Sequence, residues 1–275
     1  MCLPDPDNNL LKELDKLLFD FLWSGKRAKI KKTVVFKPLE EGGLNMVNIY
    51  VFLSTLKIDW MRKVVCGDSC LKRFKGNHVV KKVFVQSNVI PSAVSKWNSI
   101  SESNMNWKLI FFKPFQSTVD VSLRWFQLRL LHRILPCNKY LYLCKIKNSP
   151  LCTFCGYHEE TIVHLFWECM IVKTFWIKLN TVLHKECLHC EHLTFSKGLI
   201  IFGNDDNVNT DNVLDLIILL GKYYIYKCKL QGSVPLLSGF LKILKQRYYI
   251  EKKLNFIRNR NVEFLSEWLP YANIC

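Results

Sequence analysis

Residues 151–169 read LCTFCGYHEETIVHLFWEC, which places Cys152, Cys155, His164 and Cys169 in the order C-x2-C-x8-H-x4-C. Three thiolates and one imidazole are the donor set that a tetrahedral Zn²⁺ prefers, soft sulfur with borderline nitrogen. The C-x2-C pair can close a tight knuckle, and the H-x4-C spacing lies within the range usual for a second ligand pair. Four protein ligands leave no coordination position for water or substrate. The expectation is therefore one structural zinc ion that organises a small fold or a recognition surface, with no catalytic role. The competing reading is a set of buried reduced cysteines packed as small hydrophobes. Chance cysteines rarely supply all four spacings together.

A second cluster lies downstream: His184, Cys187, Cys190 and His192, in the order H-x2-C-x2-C-x-H. Its last spacing is short for a zinc finger. The cluster could form a local metal site of its own, Cys187 and Cys190 could complete Cys152 and Cys155 across a long spacer, or the cysteines could simply lie in a surface loop. All three readings stay open at the level of sequence.

Working outward, 275 residues with 49% apolar content can bury a sizeable core in one or two domains. The start, MCLPDPDNNLLKEL, has neither the basic flank nor the apolar core of a secretory signal. The twelve cysteines are then expected as reduced thiols plus a metal site, in nucleus and/or cytoplasm rather than outside the cell. The greasiest stretch, Leu214 to Tyr226, is interrupted by Asp215 and Lys222 and is too short to span a bilayer. No membrane partner is expected.

Thirty-nine Lys and Arg against twenty-three Asp and Glu leave a net charge of +16. Self-repulsion of that size opposes compaction, so it is expected to serve a polyanionic partner. Three clusters are candidates for contact with nucleic acid: Lys26, Arg27, Lys29, Lys31 and Lys32; then Arg124, Arg129 and Arg133; then Lys242, Lys245, Arg247, Lys252, Lys253 and Arg258. The partner expected is RNA and/or single-stranded or nicked DNA, with no small-molecule substrate.

The periodicity is mainly that of helices. Leu10, Leu11, Leu14, Leu17, Leu18, Phe21 and Leu22 recur at three- and four-residue steps, with Gly25 placed to end the helix. The basic run and the β-branched TVVF follow, then Glu40, Glu41, Gly42 and Gly43 form a turn into a second helix over 47–65. Residues 66–120 are less regular: Lys72, Arg73, Lys75, Lys81 and Lys82 cluster ahead of short strand-like apolar runs. A domain boundary is expected between about 90 and 105. Further helices are predicted over 121–135, ending at Pro136, and over 171–183, 211–229 and 237–258. The last two carry Lys222, Lys227 and Lys229 among their bases, with Tyr223, Tyr224, Tyr226, Tyr248 and Tyr249 interleaved. Most of these tyrosines are expected in the core.

Four blocks of this chain resemble the C-terminal third of LINE-type (non-LTR) retrotransposon reverse transcriptases. They are LLFDFLWSGKRAKIKKTVVFKPLEEGGLNMVNI (17–49), WFQLRLLHRILPCNKYL (125–141), CTFCGYHEETIVHLFWEC (152–169) and LIILLGKYYIYKCK (216–229). The first looks like the end of the polymerase thumb and the connection beyond it. The third looks like the reverse-transcriptase zinc-binding domain and implies zinc ligation by Cys152, Cys155, His164 and Cys169. The implied architecture is mainly α: a helical thumb-end and connection segment over 1–100, then a helical, zinc-stabilised domain over 101–275 with few short strands.

The resemblance also implies binding of element RNA and target DNA by the intact polyprotein. Polymerisation in that family needs palm carboxylates that hold two Mg²⁺ ions in an aromatic-x-Asp-Asp motif. The adjacent aspartates here, Asp205 and Asp206 in FGNDDNVNT, follow the zinc segment, the wrong place for a palm. The chain is expected to begin inside the thumb and to lack polymerase and endonuclease activity. The alternative class is a helical structural or adaptor protein in which zinc only organises the fold. A Cys/His hydrolase is poorly supported, since nothing beside His132 and Cys137 supplies an orienting acid or oxyanion donor.

Overall fold

A computed structural model of the protein describes residues 7–53, 55–56, 90–100, 105–187, 190, 192–203 and 211–274. Lys72, Arg73, Lys75, Lys81, Lys82, Asp205, Asp206 and most of the helix expected over 47–65 lie outside the described residues. The chain divides into two compact units, residues 1–94 and 95–275.

In the first unit, Asp7 caps helix α1 (Asn8–Trp23) by accepting from Asn9 N at 3.1 Å. The helix stops at Ser24 in the left-handed conformation, and Gly25 N–H reaches back to Asp20 O at 2.7 Å. Its Leu11 and Trp23 are buried, whereas Leu17 and Phe21 are exposed. Thr33, Val34 and Val35 of the β-branched TVVF fall in the short helix α2 (Lys32–Val35), with Phe36 as its C-cap, because Val34 and Val35 are buried there, and tertiary burial outweighs intrinsic preference. Beyond it Gly42, at φ 76°, closes the turn expected from the paired glycines. A Cβ at Gly43 would overlap the Lys37 carbonyl, so the second glycine is needed for close approach instead.

The second unit is an all-helical body. Helix α3 (Ser92–Asn98), within which the boundary between the units falls, and α4 (Trp107–Ser117) lie where strand-like runs are expected from sequence. Among the described residues the one isolated extended pairing is Leu151 with Glu159. Helix α5 (Val121–Leu131) is capped by Asp120, which accepts from Ser122 N at 2.8 Å. It ends four residues earlier than predicted. Arg133 turns to φ 57°, and Ile134 N–H closes on Arg129 O at 2.9 Å, so the chain leaves the helix before the Pro136 constraint is felt.

After α6 (Asn138–Leu143) and the knuckle come α7 (Met170–Glu186), α8 (Lys197–Phe202), α9 (Asn212–Gln231), α10 (Leu237–Ile257) and α11 (Asn261–Trp268). Helix α9 is the centre. Leu214 through Lys222 are all buried, the charged Asp215 and Lys222 included, so the helix is enclosed on every side over this stretch. It packs on α4, α5, α10 and α11. Phe126 meets Tyr223 and Phe166 edge to face, and Phe175 meets Phe240 likewise. A Cβ at Gly221 would sit 2.7 Å from the Trp176 ring, so glycine is what lets α9 seat against α7. Among the described residues no helix is long and apolar enough to cross a membrane.

Candidate metal centre

The knuckle starts from backbone hydrogen bonds. Cys152 N–H donates to His158 O at 2.8 Å and Gly156 N–H donates to Cys152 O at 2.9 Å, folding Cys152 and Cys155 onto one side of a tight loop. The other half comes from a π-helical turn, His164–Glu168. Its wide closure, Cys169 N–H to His164 O at 2.9 Å, places residues five apart side by side. His164 N–H is held by Thr161 Oγ1 at 3.0 Å.

The ligand atoms of Cys152, Cys155, His164 and Cys169 all lie within 4.8 Å of one another. Cys152 Sγ is 3.9 Å from Cys169 Sγ, and Cys155 Sγ is 3.4 Å from His164 Nε2. A tetrahedron with metal–sulfur bonds of about 2.3 Å has sulfur–sulfur edges of about 3.8 Å and slightly shorter sulfur–nitrogen edges. The four groups therefore fit one tetrahedral ion. Cys152, His164 and Cys169 are buried and Cys155 is half-buried.

Electrostatics prepare part of the set. The Cys169 thiol is pulled down to about 5, mainly by the hydrogen bond from Cys152, with help from the Val172 and Ile171 amides at the start of α7. The same hydrogen bond and burial push the Cys152 thiol up. The two shifts oppose each other within one hydrogen-bonded pair, and both thiols must give up their protons to ligate a metal.

Behind the knuckle lies a buried polar framework that sequence reasoning missed. Glu160, fully buried, accepts from Asn138 N at 2.8 Å and Thr153 N at 2.9 Å. Asn138 Nδ2 donates to Leu151 O at 2.7 Å and to Thr153 Oγ1 at 3.0 Å. Lys229, from the central α9, meets Glu160 and also donates to Pro136 O at 3.0 Å. The cysteine-bearing loop is thereby fastened to α6 and α9.

The rival cluster does not join this site. Cys187 and Cys190 are buried with their sulfurs 2.7 Å apart. Among the described residues the Cys152 set is the one group of three or more metal-capable side chains. His184 is engaged with Leu193 O, and His192 is exposed.

The three basic clusters separate by exposure. Lys26, Arg27, Lys29 and Lys31 are exposed in the loop between α1 and α2, while Lys32 is ion-paired with Asp15 and lies 4.8 Å over the Phe19 ring. The arginines of α5 and of the turn that follows it are drawn into the fold. Arg124 donates to Thr118 O at 2.6 Å and Phe115 O at 3.1 Å, and Arg133 stacks 4.4 Å over Trp97. The half-buried Arg129 keeps its Nε out of solvent. On α10 and its C-cap, Lys242, Lys245, Lys252, Lys253 and Arg258 are exposed, but Arg247 is turned inward and paired with Asp120 and Glu251. Lys222 and Lys229, counted from sequence among the bases of the last two helices, are buried. Of the tyrosines on α9, Tyr226 is buried in the core, while Tyr223 and Tyr224 are half-buried with their rings against Phe126 and Phe175.

With this geometry in place, residues 91–176 match the family model described as zinc-binding in reverse transcriptase. The matched span runs from α3 into α7 and contains all four metal-capable residues. A comparison with curated proteins returns no match. The match and the cluster together support a reverse-transcriptase-related protein with a metal-binding helical module.

Proposed function

We propose that this chain is a zinc-stabilised nucleic-acid-binding module of LINE-type retrotransposon origin, acting on RNA and/or single-stranded or nicked DNA in nucleus and/or cytoplasm. The observation that carries the reading is the closed Cys3His set inside a segment similar to the reverse-transcriptase zinc-binding family. Zinc bound there ties the 152–155 knuckle to His164 and Cys169, a structural task with no open coordination position. The +16 charge supports a polyanionic partner. The exposed bases Lys26, Arg27, Lys29, Lys31, Lys242, Lys245, Lys252, Lys253 and Arg258 are the residues proposed to meet phosphate.

These 275 residues by themselves are proposed to have no polymerase activity, because the aromatic-x-Asp-Asp carboxylates are missing from the sequence. Primer extension on an RNA template with Mg²⁺ and dNTPs tests this, and extension surviving stringent purification would defeat it. The adaptor reading draws support from the inward use of Arg124, Arg133 and Arg247. Measuring affinity for single-stranded RNA against salt separates the two. A nucleic-acid module gives a log–log slope of roughly −0.7 per phosphate contacted, and an adaptor gives none.

A further inference from the structure

Helix α10 buries one side and leaves the other to solvent. Phe240 and Leu244 enter the core, and Arg247 is fixed by Asp120. On the outward side two rings stand in the open, Tyr249 at 56% exposure and Phe256 at 68%. They are seven residues apart, two helical turns on the same face and about 10 Å along the axis, so each can take a different base. Lys245 precedes Tyr249 by four residues. Lys252 and Lys253 lie three and four residues beyond it, and four and three residues before Phe256. Positions three and four apart are neighbours on a helix surface, so each ring is embedded in a band of exposed ammonium groups.

Tyr249 is also braced from behind. Its ring lies edge to face with Tyr248 at 5.6 Å, and Tyr248 packs on Phe264 at 5.5 Å and Trp268 at 5.3 Å. An exposed aromatic held against a packed cluster loses little freedom when a flat ligand covers it.

We propose that this face of α10 is a stacking platform for single-stranded nucleic acid, with Tyr249 and Phe256 receiving unpaired bases while Lys245, Lys252 and Lys253 track the backbone. The inference rests on the nucleic-acid reading above and adds to it the residues that grip bases. Rings interleaved with cations match a strand that alternates π-faces with phosphates. A helix lying on a lipid surface segregates its apolar residues from its charges instead. The rings of α10 sit within the lysine band.

The test uses the full chain and fluorescence anisotropy with an oligouridine RNA and a matched abasic oligonucleotide. Tyr249→Ala and Phe256→Ala should each raise Kd on oligouridine at least about fivefold, leave the salt slope unchanged, and leave abasic binding as it was. Tyr249→Phe and Phe256→Trp should keep the parent affinity. Retained helical circular dichroism and metal content establish that the variants fold. Salt-dependent RNA binding indifferent to both alanine variants overturns the stacking inference while the nucleic-acid reading stands. Absence of any RNA binding overturns both. Ring-dependent binding to phosphatidylserine vesicles, with RNA affinity untouched by the same variants, also overturns it and makes this a lipid face.

Discussion

Lys229 Nζ lies 3.2 Å from Glu160 Oε1, and the two side chains are 3% and 0% exposed. The pair joins the central helix to the loop that carries Cys152 and Cys155. Glu160 also accepts the amides of Asn138 and Thr153, so its charge is compensated from several directions at once. Such a pair is weak evidence for stability as a whole, but breaking it leaves a buried charge alone. Glu160→Gln or Lys229→Met is therefore expected to cost about 3–5 kcal/mol in denaturant unfolding. Both should release metal to a chelator faster than the parent. A Glu160→Gln protein of unchanged stability and metal retention would show that the framework does not hold the knuckle.

The metal assignment has its own check. Cys152→Ser or His164→Ala should abolish bound zinc measured by elemental analysis, whereas Cys187→Ser and Cys190→Ser should retain it. Structural zinc in small modules contributes on the order of 10 kcal/mol of apparent binding energy. Loss of a ligand should therefore raise amide exchange across 150–170. Zinc loss in the Cys187 or Cys190 variants would transfer the site to the rival pair.

Buried Lys222 gives a pH signature. Its amine donates to Gln127 Oε1 at 2.8 Å and lies 3.3 Å from Ile201 O. Burial, with repulsion from Lys113, holds it down at about 7, against a smaller opposing pull from Asp215. The unfolded chain then binds more protons than the folded one between about pH 7 and the ordinary lysine range. Stability should rise with pH across that window, by at most about 1.4 kcal/mol per pH unit, and level off below it. Lys222→Met should lack this component. Urea midpoints from pH 6 to 10, read as the difference between parent and variant, decide the matter; a flat difference would mean that Lys222 is charged when folded.

Much of this was readable in the chain, for physical reasons. The four metal-capable residues and the long helices are local in sequence, set by fixed spacings and by apolar periods of three and four. Helix ends followed local chemistry less closely: left-handed residues other than glycine, Ser24 and Arg133, ended α1 and α5 ahead of the expected Gly25 and Pro136, and α7 ran on to Glu186. What stayed hidden depends on tertiary placement. Nothing near Lys229 announces that it is buried beside Glu160, and nothing in the spacing of Arg124 or Arg133 separates a guanidinium stacked on Phe115 or Trp97 from one in solvent. Charge counts overstate the surface available to a polyanion for that reason.

That distinction yields a last prediction. Reversing exposed bases, as in Lys242→Glu with Lys245→Glu, should flatten the salt dependence of RNA binding, the log–log slope shrinking by roughly 0.7 for every phosphate the variant no longer neutralises. The fold should be untouched, since exposed substitutions away from caps and ion pairs usually change stability by about 0.5 kcal/mol or less. Arg247→Ala should behave in the opposite way. Its guanidinium pairs with Asp120, the capping residue of α5, and lies 3.6 Å from Glu251 Oε1. Removing it strands two carboxylates and frees Asp120, whose carboxyl is now held low, against the cost of its own burial, chiefly by the hydrogen bond and charge of Arg247. The expected result is a lower unfolding midpoint with an unchanged salt slope. If Arg247→Ala instead flattens the slope and leaves the midpoint alone, the guanidinium meets phosphate in the complex and the ion pair opens to let it.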